Sequence, residues 1–139
     1  MVQLIVGKKG KGKTKQLLDK VNTEIKDAQG NVVYLDKSTK HMYELNNKIR
    51  LINVADYLIT NSDEFLGFIC GIVSQDHDLQ KMFFDSFLNI SCLEGKDITA
   101  VIQKLEAISD KFLVDFVLSV SADENELPED MRSKIIVSL

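Results

Sequence analysis

The sequence predicts a three-layer α/β sandwich on a mostly parallel sheet of about five strands, and three observations carry that expectation. Short apolar runs alternate with helix-period stretches along the whole chain, the pattern left by successive βαβ units. The runs are nearly continuous in apolar character, as in Val2-Gln3-Leu4-Ile5-Val6, which suits strands covered on both faces. Polar residues cluster where the runs end, and open parallel sheets bind ligands beyond the carboxyl ends of their strands.

Taken in order, residues 2–6 form the first strand and 15–28 an amphipathic helix. Leu17, Leu18, Val21, Ile25 and Ala28 recur on one face of that helix, and Gly30 stands where a helix-ending glycine is expected. Asn31-Val32-Val33-Tyr34-Leu35-Asp36 reads as the next strand. Residues 37–48 are polar and loop-like, and 49–54 form a further short strand. Asn61 to Asp63 can cap a helix whose apolar face holds Phe65, Leu66, Phe68, Ile69, Ile72 and Val73. Gly67 and Gly71 either let that helix pack closely on the sheet or are merely tolerated. A strand over 81–85 ends in Asp85, and 86–96 make a connection. Asp97 can cap a helix carrying Ile98, Val101, Ile102, Leu105 and Ile108. A strand over 112–120, a short turn opened by Pro128 and a last strand at 135–137 complete the chain.

Length and composition fit a single domain over residues 1–139 with 45% apolar and 27% charged residues. Cys70 and Cys92 lack metal-ligand spacing and sit among apolar neighbours, as buried thiols in a reducing compartment do. The longest apolar run, 65–73, is about half a membrane span. No membrane span and a cytoplasmic location are expected. The net charge of −4 hides a split: residues 1–40 hold nine Lys against four acids, and the rest eight basic against seventeen acidic groups. A basic amino-terminal part suits a polyanionic ligand. The acidic remainder, with Arg50 and Arg132 the chain's two arginines, argues against nucleic acid.

The polyanion site is written in Gly7-Lys8-Lys9-Gly10-Lys11-Gly12-Lys13-Thr14, which fits G-x-x-x-x-G-K-[ST]. Its glycines let backbone amides turn inward as an anion nest, and the helix after it presents the positive end of its dipole. Lys13 would reach the β and γ oxygens of a triphosphate, and Thr14 would ligate Mg²⁺. Lys15 follows in the first helical turn. At least one of Lys8, Lys9 and Lys11 is expected to face the phosphates. A second metal-side carboxylate should end a strand; Asp85 fits best, with Asp36 and Asp123 as competitors. Lys13 and Asp85 are thus the candidate catalytic groups, and Thr14 and Asp85 the candidate Mg²⁺ ligands.

The group after Asp85 decides the chemistry. Ser86 stands where a water-activating Glu would be useful, and Glu64, Glu94 and His77 are no obvious substitutes. Ser119 or Ser121 either senses a γ-phosphate or merely ends a strand. Arg50 either acts across a subunit interface or makes a surface ion pair. The guanine signature N-K-x-D is absent, which favours ATP over GTP.

At this loop the chain resembles the P-loop NTPase superfamily. Lys8 falls where the loops of partition and septum-placement ATPases carry a signature lysine, although Lys9 replaces a glycine of that pattern. Lys40-His41-Met42-Tyr43-Glu44-Leu45, Lys48-Ile49-Arg50-Leu51-Ile52-Asn53, Phe65-Leu66-Gly67-Phe68-Ile69 and Phe83-Phe84-Asp85 resemble small stand-alone ATP-binding proteins of Firmicutes, often labelled twitching-motility ATPases. The resemblance implies a minimal RecA-like core that binds ATP and Mg²⁺. Three functions follow as expectations: a slow or partner-dependent ATPase switch, a small-molecule kinase, or a non-hydrolysing assembly subunit. A protein partner or self-association would accompany the first and third.

Overall fold

The computed structural model describes residues 1–139 and contains one six-stranded sheet in the order β3-β2-β4-β5-β1-β6. The strands are β1 (Val2–Val6), β2 (Asn31–Asp36), β3 (Arg50–Asn53), β4 (Leu79–Phe84), β5 (Asp115–Val120) and β6 (Ile135–Ser138). Every neighbouring pair is parallel. All carboxyl ends therefore lie along one edge. The helices are α1 (Lys13–Glu24), α2 (Ser62–Gln75), a single turn α3 (Phe87–Ile90), α4 (Thr99–Phe112) and a second single turn α5 (Glu129–Arg132).

Two apolar clusters explain the continuous strands. On one face Ile5, Val32, Tyr34, Phe83 and Val117 meet Leu17, Leu18 and Val21 of α1 and Ile25 just after it. On the other, Leu4, Val33, Leu35, Met82, Phe84, Phe116 and Leu118 meet α2, α3 and α4 in a larger cluster. Phe65, Phe84, Phe87 and Phe116 pack edge-to-face within it, a geometry the ring quadrupole favours. Residue parity along each strand assigns its side chains to the two faces. Tyr34, Asp36, Phe83 and Asp85 consequently belong to the α1 face.

Several boundaries differ from the sequence reading. The first helix starts at Lys13 and ends at Glu24, and residues 25–28 continue as tighter turns with bonds such as Asp27 N to Glu24 O at 3.2 Å. Gly30 is not a left-handed helix cap. A Cβ there would stand 2.2 Å from the Asp78 carbonyl oxygen, so the glycine serves close backbone approach. Gly67 and Gly71 lie on the exposed side of α2 with nothing within 4 Å of an added Cβ, so they mediate no close packing. The segment 86–96 contains α3. Phe112 belongs to α4, not to the following strand. Leu113 at φ 57° stops that helix, and β5 begins at Asp115. Asn61 caps α2 as expected, accepting from Glu64 N at 2.9 Å. Asp97 sits two residues before α4 and accepts from Thr99 N at 2.9 Å. The cysteines are free; Cys70 is exposed rather than buried, and Cys92 is half-buried. No helix is long and apolar enough to cross a membrane.

Candidate functional site

The site lies where β1, β5, β4 and β2 end. Its side chains are placed by the ends of those strands, by the loop and start of α1, and by α3 with the turn after it. Gly10 and Gly12 take φ of 85° and 94°, a region that L side chains enter only with strain. This left-handed step at Gly12 turns the loop into α1. No side chain caps α1 and its first turn carries no acid, so its amino end stays open to an anion.

Lys13 is the first residue of α1 and is only 8% exposed. Its Nζ donates to the Lys8 carbonyl at 3.2 Å, which holds the ammonium against its own loop. Burial lowers the Lys13 pKa from its ordinary value, and the Asp85 charge partly offsets this. Thr14 Oγ1 donates to Asp85 Oδ1 at 3.2 Å, joining the loop to the end of β4.

Asp85 is buried and accepts four hydrogen bonds. Its Oδ1 accepts from Thr14, from Ser119 Oγ at 3.1 Å and from Ser86 N at 2.8 Å. Its Oδ2 accepts from Tyr34 OH at 2.7 Å. Because β5 lies between β1 and β4, Ser119 reaches Asp85 from the adjoining strand. Ser119 Oγ also accepts from Ser86 N at 3.0 Å. Ser119 is thus a buried brace of Asp85, placed by β5 and not merely a residue that ends a strand. Ser86 takes φ 51°, which turns the chain sharply from β4 into α3. Burial raises the Tyr34 hydroxyl far above its ordinary pKa, with the Asp85 charge and hydrogen bond adding to it, so Tyr34 acts as a donor.

Asp36 occupies the equivalent place at the end of β2. It is 2% exposed. Its Oδ1 accepts from Lys37 N at 2.7 Å, whereas Oδ2 is buried with no partner. Burial, and then the neighbouring Asp85 carboxylate, push its pKa up to about 6.

A cleft of about 480 Å³ opens over this corner. Lys9, Gly10, Gly12, Lys13 and Thr14 form one wall; Asp85, Ser119 and Ser121 form the floor; Asn89 and Glu94 stand opposite. Gly7, Lys8, Lys11 and Lys15 are outside the lining. Lys8 pairs with Asp123 at 3.5 Å and Lys15 with Asp19 at 3.6 Å, so those two side chains are engaged along the surface. Asp123 is thereby engaged by Lys8, and it does not line the cleft. Arg50 starts β3 at the opposite edge of the sheet and makes no ion pair, contrary to the surface-bridge reading. Exposed His77 lies between α2 and β4, also away from the cleft. Glu64 is spent on Thr60, whose amide and hydroxyl both donate to it at 2.7 Å.

Sequence reading missed three contributors. Tyr34 reads as a strand aromatic, and only strand order brings its hydroxyl to Asp85. Glu94 looks remote in the chain, yet it lines the cleft and accepts from Asn89 Nδ2 at 3.2 Å. Lys37 also lines the cleft. Its place immediately after a strand-ending Asp was the available signal.

The all-parallel sheet, helices on both faces and the loop between β1 and α1 define an α/β protein with a RecA-like core. The fold is similar to that of the flagellar accessory protein FlaH from Methanocaldococcus jannaschii, with a TM-score of 0.59 and 13% identity over 95% of this chain. The match covers 65% of the FlaH chain, so this chain spans less than two thirds of that protein. No family model and no curated protein matches the sequence.

Proposed function

We propose that this protein binds a nucleoside triphosphate, ATP in preference to GTP, together with Mg²⁺ in the cleft above β1 and β4. The carrying observation is the corner made by buried Lys13 and the Thr14–Asp85 hydrogen bond at 3.2 Å. A desolvated ammonium with one backbone partner, beside an uncapped helix start, asks for an anion. A hydroxyl and a carboxylate oxygen in contact form a pair of hard donors suited to Mg²⁺.

The residues fit the group. Lys13 would neutralise the β- and γ-phosphates, and the amides of the Gly10–Gly12 loop would hold their oxygens. Thr14 Oγ1 and Asp85 Oδ1 would take the metal. Bound Mg²⁺ would supply charge neutralisation on the phosphates. Tyr34 and Ser119 orient Asp85, and burial beneath the loop excludes water from its far side.

The reading extends to a slow or partner-dependent ATPase that acts as a switch. Ser86 offers no base directly after Asp85. Exposed Glu94 is the cleft carboxylate free of the Asp85 network, and its hydrogen bond to Asn89 positions it without desolvating it. That arrangement suits weak water activation more than rapid turnover. The kinase reading has less support, because no arginine lines the cleft. The narrower resemblance to twitching-motility ATPases contributes nothing to this proposal.

Titration with Mg–ATP, read by calorimetry together with release of labelled phosphate, tests it. Micromolar binding with slow phosphate release is the expected result, and Lys13→Ala should lower affinity at least about 100-fold. Unchanged affinity in that variant would remove the proposal.

A further inference from the structure

We propose that a transition-metal cation of the zinc or cobalt type binds at a second site, formed by Asp36, His41 and Asp85 on the β2 side of the cleft. One oxygen of each carboxylate and one imidazole nitrogen lie within 4.8 Å of one another. The site goes beyond nucleotide binding and shares one residue with it, Asp85.

Three independent features point to a cation. The first is the buried Asp36 Oδ2, which has no partner on the protein. Buried carboxylate oxygens are almost always satisfied, and this one stands beside a second carboxylate, which makes its need for positive charge greater. Lys37 does not meet that need with its side chain, because the recorded bond from Lys37 is its amide to Oδ1.

The second is the orientation of His41. Its Nδ1 lies 3.1 Å from Glu44 Oε2. A carboxylate beside Nδ1 favours the tautomer with the proton there, which leaves the lone pair on Nε2. This carboxylate–histidine arrangement is the usual second shell of a metal-bound imidazole. The turn of residues 42–44 that follows His41 sets Glu44 three residues on, so one short stretch supplies both groups.

The third is the sharing of Asp85. Its Oδ1 faces Thr14, Ser119 and the Ser86 amide, while Oδ2 carries only Tyr34. The two oxygens thus divide between the loop side and the β2 side, and a carboxylate can bridge two cations in this way.

The donor set selects the class. Two carboxylates and an imidazole suit zinc, cobalt or manganese better than magnesium or calcium, which prefer all-oxygen shells. Ligand atoms around a tetrahedral ion stand about 3.3 Å apart, so binding draws the ligands inward. His41 is the one able to move, being half-buried on a surface turn while both aspartates are fixed at strand ends. Three protein ligands leave a further position for water or a ligand in the cleft.

Co²⁺ added to the nucleotide-free, metal-stripped protein provides the probe. We expect one equivalent to bind, with visible d–d absorption of a low-symmetry nitrogen–oxygen site. His41→Asn and Asp36→Asn should each weaken Co²⁺ binding at least tenfold. His41→Asn should leave Mg–ATP affinity unchanged and retain the native circular dichroism spectrum. Thr14→Val should weaken Mg–ATP binding and leave the Co²⁺ site intact, so the two sites fail separately. Absence of stoichiometric Co²⁺ binding, or binding unaffected by His41→Asn, would overturn the proposal.

Discussion

Asp36 and Asp85 end adjacent parallel strands and are both 2% exposed, yet they are treated oppositely. Asp85 receives hydrogen bonds from Thr14, Tyr34, Ser86 and Ser119, which come from four separate segments. Asp36 receives one, from the next residue's amide, and keeps an orphaned oxygen. The position in the sheet explains the contrast. Asp85 lies between β2 and β5 and can be reached from both sides. Asp36 has β4 on one side and short β3 on the other, where Asn53 turns away to donate to Asp56 at 3.4 Å. Burial alone therefore does not define a site. What distinguishes these carboxylates is how much of their desolvation the protein itself compensates.

The largest expected effect comes from removing the satisfied member. Asp85→Ala leaves Tyr34 and Ser119 buried without their acceptor and should cost about 3 kcal/mol in urea unfolding. A loss below about 1 kcal/mol would show that the network matters little to the fold. Next comes Asp36→Asn, which has the opposite sign. The amide removes a buried charge facing Asp85 and should stabilise the metal-stripped protein by about 1–2 kcal/mol at pH 7.5.

That gain should depend on pH in a set direction. The folded Asp36 pKa is raised to about 6, above its ordinary value of 3.8. The native state therefore holds this proton where the unfolded chain has released it, and native stability falls as pH rises through that window. The advantage of Asp36→Asn should accordingly shrink as pH drops below 6 toward 4, as read from melting temperatures across the range. A constant advantage would break the contrast between the two carboxylates.

Tyr34→Phe removes one donor from Asp85 and leaves the others. It should cost about 1 kcal/mol by urea unfolding, less than Asp85→Ala because only one partner is lost. Smallest of all, Lys8→Ala breaks a pair whose side chains are 63% and 44% exposed. Its effect on stability should stay under about 0.5 kcal/mol in the same assay.

The parallel sheet was legible because both faces are covered, so β1, β2 and β4 read as apolar runs with few interruptions. The loop was legible for a different reason: backbone amides, a helix start and one lysine must follow in order along the chain. Asp85 could be chosen because the apolar run Met82-Phe83-Phe84 leads directly into it. The rest of the site depends on which strands are neighbours. Tyr34, Ser119 and Glu94 are 51, 34 and 9 residues from Asp85 in sequence, and no local pattern marks the meeting. The helix ends were misplaced where capping was not chemical: α1 stops without a glycine and α4 stops at Leu113.

The Tyr34–Asp85 bond has a spectroscopic consequence. The chain has no tryptophan and three tyrosines, so tyrosine alone sets its intrinsic emission. Tyr43 and Tyr57 are 92% and 51% exposed, whereas Tyr34 is fully buried with its hydroxyl on a carboxylate. Such a bond quenches phenol fluorescence by offering the excited state a proton acceptor. A cation that draws charge from Asp85 weakens that acceptor and brightens the ring. The molecule thus carries, beneath its loop, a native optical gauge of what occupies the corner above it.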